Sequence, residues 1–116
     1  YGELRGIDIT TGERLWQSDA MTAQDRFGTA YFVKNDDRYF VMNDAGELII
    51  AMFTPDGYEE VDRTPLLEPT LRTRGGASGR WNDRTVLWAH PAFANQHIVV
   101  RNDREIIRAS LAAEDY

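Results

Sequence analysis

A chain of 116 residues that is 42% hydrophobic and 28% charged is long enough for one domain with a real core and has the composition of an ordinary globular protein. With no cysteine, a disulfide framework and thiolate metal sites are excluded, and a net charge of −6 argues against general nucleic-acid binding, which relies on a positive surface. No stretch approaches the roughly 18 apolar residues that a membrane-spanning helix requires.

From the start of the chain, Gly2-Glu3-Leu4-Arg5-Gly6-Ile7-Asp8-Ile9 reads as a strand. Thr10-Thr11-Gly12 then turns the chain, and Glu13-Arg14-Leu15-Trp16 opens an outer strand. Asp8 stands just before that turn, where its carboxylate can accept backbone N–H groups, and Gly12 can take the left-handed conformation. Because the chain opens on what reads as the middle of a unit, a preceding segment is expected.

The stretch Phe27 to Asp62 organises everything else. Thr29 to Val33 and Arg38 to Met42 are β-branched and aromatic strands separated by Lys34-Asn35-Asp36-Asp37. Asn43-Asp44-Ala45-Gly46 is a turn in which Gly46 supplies positive φ. Glu47 to Phe53 is an apolar run without strict alternation, which predicts burial on both faces. Thr54-Pro55-Asp56-Gly57 is the next turn, and Tyr58-Glu59-Glu60-Val61-Asp62 is charged, as an edge strand should be. Core positions expected from this reading and its copies are Phe40, Val41, Leu48, Ile50, Ile98, Val100 and Ile107.

Residues 71–87 form a long Gly/Arg-rich loop in which Arg72, Arg74, Arg80 and Arg84 cluster with Gly75, Gly76 and Gly79. Such a loop is either a solvated insertion or a holder for an anionic ligand or partner. Further on, His90-Pro91-Ala92-Phe93-Ala94 takes the place of Thr29 to Val33, and His97 to Ile107 matches Tyr39 to Ile49 with a residue lost nearby. Trp16 and Trp88 are placed to pack between neighbouring units or to serve as an aromatic ligand platform. His90 and His97 lack the partners of a zinc or nucleophile site and are read as structural. Adjacent acidic pairs such as Asp36-Asp37 point to opposite faces or to solvent, so paired acid–base work is not expected.

Self-similarity at about 40–50 residues with four strands per copy is the mark of propeller blades. The expected fold is therefore all-β: four-stranded antiparallel meanders, about two and a half blades of a partial propeller. Residues 1–18 end one blade, 27–70 form a complete blade, 71–87 are the loop, and 88–116 form most of a further blade. Fewer than three blades cannot close a ring, so the flanks are expected to be covered by remaining blades or by copies of the chain, with Glu13 to Gln17 beside Glu105 to Leu111.

Leu4-Arg5-Gly6-Ile7-Asp8-Ile9-Thr10-Thr11-Gly12-Glu13-Arg14-Leu15-Trp16 resembles the repeat of the pyrroloquinoline-quinone-like β-propeller superfamily. That repeat pairs a strand ending in Asp with a Thr-Gly turn and a Trp-bearing outer strand. Phe27 to Asn35, Trp88 to Asn95 and Arg101 to Ile107 resemble the C-terminal blades of a bacterial subgroup often seen in planctomycetes. The resemblance implies a periplasmic or other extracytoplasmic setting. It also brings three functional expectations. The first is a scaffold or binding module for a protein or small-molecule partner. The second is part of a quinone-dependent dehydrogenase whose site lies in other blades, with pyrroloquinoline quinone and Ca²⁺ as cofactors. The third is an outer-membrane protein assembly component. Quinone-dependent members sandwich the quinone between a Trp and a disulfide of adjacent cysteines, and this chain has no cysteine to supply one. The residues themselves mark no catalytic set and no metal ligands, so the binding scaffold is the principal expectation.

Overall fold

The computed structural model describes residues 2–22, 28–73 and 84–113. Phe27 and most of the Gly/Arg-rich segment, including Arg74 and Arg80, lie outside the described residues. Among the described residues there is no helix. In chain order the strands are β1 (Leu4–Ile7), β2 (Arg14–Ser18), β3 (Ala30–Asn35), β4 (Arg38–Asn43), β5 (Glu47–Thr54), β6 (Gly57–Pro65), β7 (Leu71–Thr73), β8 (Arg84–Val86), β9 (Ala92–Ala94), β10 (His97–Arg101) and β11 (Ile106–Ser110). They form a β1–β2 hairpin, a four-stranded β3-β4-β5-β6 meander, a short β7–β8 hairpin and a three-stranded β9-β10-β11 meander. The pairings are all antiparallel. The fold is all-β, as the strand chemistry predicts.

The turns follow from their residues. Gly12, Gly46 and Gly57 have φ of 75°, 81° and 145°, so all three occupy the positive-φ region expected of them. Asp36 at 56° and the Asn95-Gln96 pair at 49° and 58° make the tight hairpin turns β3–β4 and β9–β10.

Register shows the repeat more sharply than the sequence does. β1–β2 is irregular between Gly6 and Ile7, and β5–β6 is irregular at the corresponding Ile50 and Ala51. A bulge kept at the same place in two hairpins is a feature of the repeating unit, because it sets the twist of the outer strand. Asn43 and Asn102 play one role in two meanders. The Asn43 side-chain oxygen accepts from the Ala45 and Glu47 amides, and that of Asn102 accepts from the Arg104 and Glu105 amides. Each Asn side chain also donates to the carbonyl of the preceding connection, Met21 at 3.0 Å and Glu68 at 2.9 Å.

This equivalence corrects the sequence alignment. The pairs Asn35–Arg38 and Ala94–His97 flank matching turns, so His97 corresponds to Arg38 and not to Tyr39. The lost residue falls inside the turn after Asn102. A slip of one residue would have sent each β10 side chain to the wrong face.

The middle meander is buried on both sides, and alternation decides which side each residue serves. Val41, Ile49 and Ala51 are buried with Met21, and Leu4 and Tyr39 pack on that cluster, joining the first hairpin to the middle sheet. Met42 and Leu48 are buried with Leu67, Leu87, Ile98 and Val100, backed by Phe40, Phe93, Ile107 and Ala109, joining the middle sheet to the third. The Phe40 and Phe93 rings stack across this interface with centroids 5.6 Å apart. Of the expected core residues, Val41, Leu48, Ile98 and Val100 are buried, whereas Phe40, Ile50 and Ile107 are only partly so. Met42, on the same face as Phe40, and Ile49, next to Ile50 on the opposite face, are fully buried.

Segment 71–87 is less loop-like than its composition suggests. Its described ends pair as β7 and β8, with Leu71 opposite Val86. Val86 and Leu87 are apolar enough to anchor this hairpin in the protein, and both are buried.

Candidate functional site

The bulge in β2 sets Trp16 opposite Gly6. A Cβ at residue 6 would fall on the indole, so only glycine lets the ring lie flat across β1. The indole Nε1 donates to the Thr54 carbonyl at 3.1 Å, and the ring lies 6.1 Å from that of Tyr58. Trp16 therefore fastens the first hairpin to the β5–β6 turn, which is its packing role.

Beside it runs an aromatic row. Phe32 lies 5.5 Å from Phe53, Tyr39 packs edge-on to Phe53 at 5.0 Å, and Phe53 lies 5.9 Å from Tyr58. Phe32, Tyr39 and Phe53, with Leu15 and Trp16, line an open, largely apolar cleft of about 540 Å³ between the first hairpin and the middle sheet. Leu15 and Phe32 remain 43% and 42% exposed there, so the cleft presents apolar surface to solvent. Sequence reading finds only Trp16 of this set. Phe32, Tyr39 and Phe53 sit on three different strands, and their spacing along the chain carries no sign that they meet.

Trp88 lies apart from Trp16. It follows β8, and its carbonyl accepts the Tyr31 hydroxyl at 2.8 Å. It helps to line a smaller cleft of about 190 Å³ with Leu71, Arg101 and Asp103. The Tyr31 ring also lies 3.9 Å from that of His90, which gives His90 its structural contact between the middle and third units.

The four arginines of the Gly/Arg segment do not form a described cluster. Arg84 is drawn inward, with Nη2 2.9 Å from Oδ2 of Asp44, a carboxylate that is 2% exposed. The same oxygen accepts the Thr29 amide at 3.3 Å, and the Asp44 carbonyl accepts the Leu87 amide at 2.7 Å. Asp44 thus ties the β7–β8 hairpin to the middle meander, and Arg84 serves that joint. Arg72 is exposed on β7, opposite Thr85.

Two further charged groups are tuned by hydrogen bonds. The Thr10 hydroxyl at 2.7 Å and the Thr10 and Thr11 amides hold the Asp8 carboxyl below its usual value. Arg63 is raised by its bonds to Glu60, with Glu47 adding to the effect, and it also donates to the Ala20 carbonyl at 2.8 Å. Both arrangements hold turns and sheet neighbours in place.

Among the described residues no three of His, Cys, Asp and Glu come together to hold a metal ion. Comparison with family models, with curated proteins and with solved structures gave no match.

Proposed function

We propose that this chain is a run of β-propeller blades acting as a binding scaffold, with the aromatic cleft beside Trp16 as its contact surface. The observation that carries the reading is the cleft itself: exposed apolar side chains concentrated between two packed sheets. An open apolar groove of this kind suits an aromatic or aliphatic group. The blade reading is supported by the repeated bulge, the repeated Asn turn and the middle sheet buried on both faces.

In a propeller the two outer sheets would meet neighbours. Leu4 faces the middle sheet, so Arg5 and Ile7 face away from it. On the third sheet, Val99, Arg101, Ile106 and Arg108 alternate with the buried set and face away in the same manner.

The binding reading is tested with 8-anilinonaphthalene-1-sulfonate, an apolar aromatic anion, as the probe. Saturable binding to the native chain is expected. Leu15→Asn and Phe32→Ser, both at solvent-exposed side chains, should each weaken it by about tenfold, equivalent to roughly 1.4 kcal/mol. No binding, or binding indifferent to both substitutions, contradicts the proposal.

A further inference from the structure

We propose that the Asp56–Gly57 peptide of the β5–β6 turn is a modification site, where the chain rearranges to an isoaspartyl linkage and so loosens the bond that Trp16 makes to this turn. The reaction needs no enzyme or cofactor and is independent of what the aromatic cleft binds. Thr54-Pro55-Asp56-Gly57 is the one place in the sequence where Asp precedes Gly, and no Asn precedes Gly anywhere. Asp56 is exposed, and Gly57 has a φ of 145°. Glycine matters here because it has no Cβ to shield its amide nitrogen from the carboxyl of the residue before it. Asp44, which precedes Ala45, shows the opposite case: its carboxylate is 2% exposed and is held by Arg84.

The step balances with water alone. The Gly57 amide nitrogen attacks Cγ of the Asp56 carboxyl. The new N–Cγ bond closes a succinimide ring, and the carboxyl hydroxyl leaves with the amide proton as water. Water then opens the ring. Attack at Cγ restores aspartate. Attack at the main-chain carbonyl carbon of Asp56 breaks its bond to the Gly57 nitrogen, so the chain runs on through Cβ and Cγ and the α-carboxylate is freed. The product has the mass of the native chain, but its backbone is longer by a carbon in the turn.

The structure ties this turn to the first hairpin. Thr54 and Gly57 form the last rung of the β5–β6 ladder. The Thr54 hydroxyl accepts the Asp56 amide at 3.2 Å and donates to the Gly57 carbonyl at 3.4 Å, and the Thr54 carbonyl accepts the Trp16 indole at 3.1 Å. Pro55 and Asp56 alone connect the rung, and a hairpin connection that short takes no extra backbone atom without changing its turn type. The isoaspartyl form therefore displaces the Thr54 carbonyl, and Trp16 loses its acceptor while Gly6 and Tyr58 still border the ring. The coupling also runs the other way. Ring closure requires the Gly57 nitrogen to leave the last rung, and the ends of a ladder open at the lowest cost. By holding Thr54, the indole keeps that rung closed for more of the time. Trp16 thus slows the reaction that releases it.

For the test, the native chain is incubated at neutral pH and body temperature beside a free peptide of residues 53–58. Isoaspartate is read with an isoaspartyl methyltransferase and located by mapping proteolytic fragments. It should accumulate at residue 56 ahead of every other aspartate, through a transient species lighter by a water, and Asp56→Ser should abolish both. Trp16→Phe keeps a ring but removes the donor, and should speed accumulation by about two- to tenfold, the span that a net hydrogen bond supports. In the separated isoaspartyl form, the Trp16 indole N–H should exchange with solvent faster than in the unreacted chain; its resonance is the one lost in Trp16→Phe. A melting curve establishes whether Trp16→Phe is folded, and the isoaspartyl form tests the same coupling without that substitution. No isoaspartate at residue 56 while the peptide reacts, equal accumulation at other aspartates, or unchanged Trp16 exchange in the isoaspartyl form would overturn the proposal. A folded Trp16→Phe that reacts no faster than the native chain would overturn it too.

Discussion

Gly46 carries two demands at once. Its φ of 81° disfavours any side chain, and a Cβ there would run into the Leu67 carbonyl oxygen. Gly12 has a similar φ of 75° but open space around it. Gly12→Ala should therefore cost only the left-handed penalty, about 1 kcal/mol, whereas Gly46→Ala should cost clearly more than about 2 kcal/mol because backbone must also move. Thermal melts of the two variants check this, and equal losses would show that the Leu67 contact is not as described. Asp8 gives the pH-dependent counterpart. Its carboxyl is held below the usual 3.8, mainly by the Thr10 hydroxyl. A depressed carboxyl contributes stability that is present above the unfolded value and is lost as pH falls through the folded one. Asp8→Ala should therefore melt below the native chain at neutral pH, with a gap that narrows as pH drops below 3.8. Both residues were legible beforehand. Gly and Asp in a polar turn have few conformational uses, and the local chain alone determines which one applies. The aromatic row of Phe32, Tyr39 and Phe53 was not legible, because its members meet through strand pairing across β3, β4 and β5.

At the scale of elements, the apolar run in β5 reads correctly as a strand buried on both faces. What the run conceals is which residues go deepest. Ile49 is fully buried against the first hairpin, while Ile50 lies at the half-open groove towards the third sheet. Ile49→Ala should cost about 2–5 kcal/mol, the range for a filled core site, and Ile50→Ala about 1–2 kcal/mol. Denaturant unfolding of both variants measures the difference, and the reverse order would contradict the assignment of faces. The alignment of His97 with Tyr39 shows a second limit of sequence reading. Apolar residues occupy both faces of β4 and β10, so hydrophobicity has no period that fixes the register. The matching turns Asp36-Asp37 and Asn95-Gln96 carry that information instead. β7 and β8 were hidden for a different reason. Each is three residues long and borders a Gly- and Arg-rich segment, and strands that short show no pattern of their own.

For the whole molecule, the central claim is an ordered stack. The first hairpin and the third meander pack on opposite faces of the middle meander, each through its own apolar cluster. Trp16 ties the first interface, the Phe40–Phe93 stack ties the second, and the Asp44–Arg84 pair ties the β7–β8 hairpin to the middle meander. This arrangement makes the middle sheet the most stable part, with the outer strands held by fewer partners. It also explains how Asp44, a charged residue in a turn, comes to be buried: the β7–β8 hairpin and Thr29 close over it. The most direct measurement is a nuclear Overhauser spectrum of the isotopically labelled chain at low concentration. The stack predicts cross-peaks between the Phe40 and Phe93 rings and between the Trp16 indole and the Gly6 α-protons, in one sample and independent of dilution. It also predicts that the Gly6 α-protons are shifted strongly by the ring current of the indole. A spectrum that is well dispersed and shows the β3–β6 pairing, yet lacks contacts at both interfaces, would contradict the stack and the blade reading that rests on it.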